Sequence, residues 1–138
     1  MSDVAGVKPT VGVEIAAYVC GCSPAEMRRY RKQVLPRSGA PVPDPDRFTA
    51  AEVGAVAAGV AIKTWRTKVK PDQLVARLAL RPGDDRDWQV VYESRRGVRV
   101  EPADYVVELW SVQRGARFDP TPVYEAFDLA VAGDRRAD

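Results

Sequence analysis

The feature that most restricts this sequence is a single glycine, Gly21, set between two short stretches of helical periodicity. Ahead of it runs Glu14-Ile15-Ala16-Ala17-Tyr18-Val19-Cys20, in which Ala17 supplies the small residue that two steeply crossing helices need at their point of contact. Gly21, four residues later, tolerates the positive φ of a tight turn, and Cys22 follows as a small apolar plug beneath it. Ser23 then starts a second helix. Pro24 takes the first helical position, and Glu26 stands three residues after Ser23 as in a capping box. Met27 and Tyr30 lie three apart on one face and are expected to pack back on Ile15 and Val19. Each signal alone is weak, but over residues 13–32 they come in the order of a helix-turn-helix. A purely structural helical hairpin uses similar residues, so the surface left outside has to decide between the two.

That surface is cationic. Ala25, Arg28, Arg29, Arg31 and Lys32 are not required by the core pattern, and Ser23 opens the same helix. A helix so charged suits the major groove, where arginine meets guanine edges through paired hydrogen bonds while neighbouring cations meet phosphates. On these residues the segment resembles the helix-turn-helix superfamily of DNA-binding domains, which implies double-stranded DNA as the partner.

The resemblance extends downstream. Val34-Leu35-Pro36, a loop, and Arg47-Phe48-Thr49-Ala50-Ala51-Glu52-Val53 resemble the MerR and excisionase-like winged-helix domains. Arg28, Arg29 and Tyr30 match the arginine-tyrosine second helix of those families, and Arg47 and Phe48 match the approach to their next helix. The likeness spans residues 11–70 and implies a wing across 34–47, with Arg37 and Arg47 placed to touch backbone phosphates or the minor groove. Tyr18, Lys63 and Arg66 are further candidates for phosphate contact. Two departures matter: the loop is proline-rich without the glycine-aromatic-arginine core of such wings, and no long dimerisation helix follows.

A shift of 38 residues offers another arrangement. Glu52-Val53-Gly54-Ala55 then falls on Glu14-Ile15-Ala16-Ala17, Gly59 on Gly21, and Trp65 on Met27. Thr49 with Glu52 makes a second capping box, and Lys63, Thr64, Arg66, Thr67, Lys68 and Lys70 form a second basic set. The basic unit of residues 13–71 therefore reads as one winged domain or as two tandem helix-turn-helices, 13–36 and 49–71.

Beyond Pro71 the texture changes. Leu74–Leu80 alternates as a strand, Trp88–Glu93 and Val98–Glu101 are β-rich, and Tyr105–Val112 is β-branched and aromatic. Turns are expected at 82–85 and 94–97. Thr121-Pro122 opens a last helix to about Ala132, with Gly133 in a stopping position. The expected fold is α+β: a loose leader over 1–12, the helical unit, a small antiparallel sheet with a closing helix over 72–133, and a frayed tail over 134–138. Trp88, Tyr92, Tyr105, Trp110, Phe118, Tyr124 and Phe127 are mostly core candidates, and Arg95, Arg96 and Arg99 read as a solvated basic turn.

Charge and composition narrow the function. The first 70 residues carry a net +5 and the remaining 68 a net −3, so the N-terminal half is the one suited to a polyanion. The chain has no histidine, which removes the commonest general base, and only two cysteines, Cys20 and Cys22, too close together for an ordinary disulfide. No enzyme, metal or cofactor is expected. No apolar run reaches membrane-spanning length, and the first residues lack a signal-peptide profile, so cytoplasmic residence is expected. The reading is a sequence-specific DNA-binding protein of the transcription-regulator or excisionase type, whose C-terminal half self-associates or meets another protein. A viral packaging component resembling a small terminase subunit, or a module that inhibits a host enzyme, are the competing readings.

Overall fold

A computed structural model describes residues 9–38, 46–65, 67–78, 85–93, 97–106 and 116–137. Among these residues the chain forms five helices and two small antiparallel sheets, an α+β arrangement. Strand β1 (Thr10–Gly12) leads into α1 (Val13–Cys20) and, across a turn, α2 (Pro24–Ser38). Strand β2 (Arg47–Thr49) leads into α3 (Ala50–Ile62), and α4 (Pro71–Leu78) follows. The C-terminal part holds β3 (Trp88–Glu93), β4 (Gly97–Pro102), β5 (Ala116–Phe118) and α5 (Thr121–Ala137).

The first helix pair forms for the reasons legible in its residues. Gly21 takes a left-handed φ of 76°, and its N–H and that of Cys22 close back on the carbonyl of Ala17 at 2.9 and 3.0 Å. This satisfies carbonyls at the end of α1 that would otherwise lack partners. Ser23 Oγ accepts from the Glu26 N–H at 3.1 Å, the first half of a capping box. The second half is missing because the Glu26 carboxylate is paired with Lys63 instead. Met27 and Tyr30 are fully buried, as their spacing requires. Ile15 is not their partner: it is 44% exposed, and α1 buries Val13, Ala16, Ala17 and Cys20 instead.

Residues 10–12, expected in a loose leader, form an edge strand. β1 pairs antiparallel with β2, setting Thr10 opposite Thr49, Val11 opposite Phe48 and Gly12 opposite Arg47. Alternation places Val11 and Phe48 on the buried side of this ribbon. Thr49 then caps α3 with a complete capping box, its Oγ1 accepting from Glu52 N–H while Glu52 Oε1 accepts from Thr49 N–H at 2.7 Å.

Four other expectations are corrected. Helix α3 runs unbroken through Gly59 and ends at Ile62, so the frame-shifted copy does not fold as a second helix–turn–helix over 49–71. Gly59 serves packing, not a turn: a Cβ there would meet Val75 Cγ2 at 2.6 Å, and the bare backbone lets α4 lie close. Leu74–Leu80 is not a strand, since residues up to Leu78 belong to α4. Pro71 starts that helix, the side chain of Gln73 reaches back to the Lys70 N–H at 3.0 Å, and Leu74, Val75 and Leu78 form its buried stripe. Helix α2 continues to Ser38, past the expected exit at Val34-Leu35-Pro36, and α5 continues through Gly133 to Ala137.

The larger sheet has the order β4-β3-β5, with Val90 opposite Val100 on one side and Phe118 on the other. β3 and β4 match the expected strands. β5 was not expected, and of the Tyr105–Val112 strand only Tyr105 and Val106 are described, outside any strand. The rest of that segment and the 82–84 and 94–96 parts of the expected turns lie outside the described residues, although Gly97 has the positive φ, 74°, that a turn there requires. β3 is buried on both faces. Trp88 and Val90 join the main core, while Gln89 is fully buried with its amide donating to the carbonyls of Pro102 and Tyr105 and its oxygen accepting from Arg117. Arg99, read as part of a solvated turn, instead donates to Glu93 and to Tyr105 Oη.

Helices and sheet share one hydrophobic cluster, from Val11 and Phe48 through Val53, Val56 and Leu74 to Trp88, Tyr124 and Phe127. The change of texture after Pro71 therefore does not mark a break in the core. Tyr124 of α5 is the junction: its ring meets Trp88 edge-on, its hydroxyl accepts from Trp88 Nε1 at 3.1 Å, and it lies against Gly54 of α3. A Cβ on Gly54 would stand 2.5 Å from Tyr124 Oη and 2.9 Å from Cζ. Gly54→Ala is expected to lower stability by about 1–3 kcal/mol through overpacking, although alanine is the better helix former. Urea unfolding measures this, and a variant as stable as the parent would show that Tyr124 can withdraw from α3.

Candidate nucleic-acid interface

The outer face of α2 is fixed by what the inner face buries. Met27, Tyr30 and Arg31 point into the protein, and at about 100° per residue this leaves Ala25, Arg28, Arg29 and Lys32 on the opposite side. On that surface Ala25 and Lys32 occupy the middle, with Arg28 at one margin and Arg29 at the other. Ser23, at the head of the helix, is exposed with its hydroxyl engaged in the cap. Tyr18 on α1 is 88% exposed.

Each margin carries a carboxylate. Arg28 Nε donates to Asp46 Oδ1 at 3.0 Å, which raises the already high pKa of the guanidinium. Arg29 Nη1 donates to Asp72 Oδ1 at 3.4 Å, and its guanidinium lies 4.6 Å from the centre of the Tyr30 ring. Lys32, between them, has no ion-pair partner among the described residues. Lys63, at the end of α3, pairs with Glu26 and lies 5.9 Å from the Tyr30 ring centre. The hydrogen bond from Lys63 holds the Glu26 carboxyl below its ordinary value and raises the lysine in turn. Lys63 is thus committed to tying α3 to the head of α2.

Two of the expected DNA-contacting arginines are structural. Arg31 is only 4% exposed: its guanidinium lies 4.4 Å from the centre of the Phe48 ring, donates to the carbonyl of Arg47 and stands 3.7 Å from Glu52. It is withdrawn from any groove, and it sits four residues after Met27, on the core side of the helix. That spacing was the available signal in the sequence. Arg47 holds the small sheet together, its Nε donating to Thr10 Oγ1 at 3.1 Å and its Nη2 to the Thr10 carbonyl at 3.0 Å. Arg37 lies in the last turn of α2, and its side chain is outside the described residues, as are Arg66 and residues 39–45 of the expected wing. Asp46 and Asp72 were missed. Asp72 was legible as an acidic first-turn residue once Pro71 is seen to start a helix, whereas nothing marked Asp46 within its proline-rich stretch.

The cysteines belong to the turn. Cys20 is buried and its thiol lies 3.3 Å from the carbonyl of Val53, and burial, with Cys22 alongside, pushes its pKa far above the ordinary value. Cys22, half-buried, is raised by burial first and by Glu26 second. Among the described residues no three histidine, cysteine, aspartate or glutamate side chains come together as a metal site, and no helix is long and apolar enough to cross a membrane.

The chain matches no family model, no curated protein and no solved structure.

Two measurements test this description. Arg31→Leu removes the cation facing buried Glu52 and should cost about 3 kcal/mol of stability, as breaking a buried ion pair generally does; an unfolding midpoint equal to the parent's would show the contact to be dispensable. In the native protein near neutral pH, an alkylating reagent should modify Cys22 slowly and leave Cys20 untouched until the chain unfolds. Equal labelling of both would contradict the packing of α1 on α3.

Proposed function

We propose that this chain is a sequence-specific DNA-binding protein of the transcription-regulator or excisionase type, with α2 entering the major groove. The observation that carries the reading is the outer face of α2. A helix held from behind by Met27, Tyr30 and Arg31 presents Arg28, Arg29 and Lys32 on one continuous surface. Groove recognition by a helix needs this combination: a rigid backbone, cations long enough to reach base edges, and a small residue, here Ala25, that lets the helix approach closely.

The surroundings support the same reading. The turn that Gly21 makes is short, so α1 and its exposed Tyr18 stay beside the head of α2, where the first helix of a helix-turn-helix crosses the phosphate backbone. The strand that pairs with β1 starts beside α2, since the residue ahead of it, Asp46, is bonded to Arg28. The net positive charge of residues 1–70 favours approach to a polyanion.

Selection of bound sequences from a random duplex pool is the direct test. A defined consensus is expected, and the combined Arg28→Ala and Arg29→Ala variant should lose affinity for it, each base contact being worth about 1–3 kcal/mol. Affinity should also fall steeply with salt. A pool that yields no consensus, or a folded double variant that binds the selected site as the parent does, would reject the assignment.

A further inference from the structure

The two ion pairs on α2 flank the cationic surface rather than crossing it. Asp46 comes from the residue ahead of β2 and Asp72 from the first turn of α4, so two separate elements each deliver a carboxylate to one margin of the same helix. Arg28 and Arg29 are consecutive, about 100° apart around the helix axis, and the carboxylates accordingly lie on opposite flanks. Lys32, in the middle, is left unpaired among the described residues. Both pairs are open to water: the arginine side chains are 52% and 54% exposed, and the aspartates are comparably open. Open pairs of this kind contribute little to folding, so their placement calls for another explanation than stability.

The groove supplies one. A helix lying in the major groove has base edges beneath its middle and the two phosphate backbones along its sides. Sequence-independent binding rests almost wholly on phosphate contacts. A carboxylate at each margin repels those phosphates and occupies the arginine that would otherwise reach them. Base edges carry no formal charge, so contacts that Arg28, Arg29 and Lys32 make to them are not repelled in this way. We infer that Asp46 and Asp72 are specificity-determining residues, which hold Arg28 and Arg29 away from sequence-independent phosphate contact and so weaken binding to random DNA relative to a cognate site. This inference rests on the DNA-binding reading, with α2 as the recognition helix.

The test is the affinity of Asp46→Asn, Asp72→Asn and the double variant for a short random-sequence duplex at low ionic strength, beside the parent. Glu125→Gln, on the exposed surface of α5, makes the same change in net charge away from α2 and serves as the control. Each aspartate replacement should tighten random-duplex binding about two- to five-fold, the range open to one exposed ion pair. The double variant should gain the product of the two, and Glu125→Gln should gain less than either. In an Arg28→Ala background the gain from Asp46→Asn should shrink, because the arginine it releases is gone; a bare charge effect would leave the gain intact. Circular dichroism confirms that each variant is folded. If the parent binds the duplex and the asparagine variants bind it equally or more weakly, the screening role is overturned while the DNA-binding reading stands. If neither the parent nor the variants bind the random duplex, the screening role is overturned, and if none binds a site selected from a random pool either, the DNA-binding reading falls with it.

Discussion

One buried cation organises the N-terminal half of this protein. Arg31 leaves α2 on its core side, stacks over Phe48, donates to the carbonyl of Arg47 and faces Glu52, so a single guanidinium joins α2 to β2 and to α3. Burying a charge is unfavourable unless it is well partnered; a ring, a carbonyl and a carboxylate offset part of that cost, while Arg31 Nε and Nη2 make no hydrogen bond among the described residues. Glu52 has a second task, because the same carboxylate closes the cap of α3 on Thr49. The orientation of α2 and the start of α3 are thus set at one point. Which residues of α2 face outward follows from this clamp as much as from Gly21, since a modest rotation of the helix about its axis would move Lys32 and Ala25 off the centre of the surface.

Much of this fold was legible, and the misses share a cause. The turn at Gly21, the cap at Thr49, the strand Trp88–Glu93 and the buried pair Met27 and Tyr30 all rest on local rules that operate within a few residues. What escaped was decided by distant partners. Thr10–Gly12 carries no strand signal of its own and becomes one only because Arg47–Thr49 arrives beside it. Leu74–Leu78 alternates well enough for a strand, yet Pro71 and Gln73 cap a helix there, and Gly59 opens the space that α4 fills. The outer surface of α2 was recovered with one substitution: Arg31 leaves it. The carboxylates that frame it stand 18 and 43 residues away from their arginines and could not be read from spacing.

The acidic C-terminal part contributes to the helical part by packing rather than by charge. Tyr124 closes against Gly54 and Trp88, and Phe127 adds to the same cluster, so α5 braces α3 from the side away from α2. Within the larger sheet, the Gln89 amide bonds to backbone carbonyls and to Arg117, so the far face of β3 sets a hydrogen-bonded polar side chain beside the buried Val91. The central strand is thereby buried on both faces, while β4 and β5 on either side of it stay partly open.

The packing of α5 has a further consequence for how this chain can be cut or borrowed. The last helix lies against α1, α3 and β1, so segments more than a hundred residues apart in the sequence are neighbours in space. Such a topology is rich in non-local pairings, and chains of this kind form their contacts late and together. The cationic helix is therefore not a portable module. A fragment ending after Leu78 would bare the groove at Gly54 and the apolar sides of α1 and α3, and grafting residues 13–38 elsewhere would strand Arg31 without its ring and carboxylate.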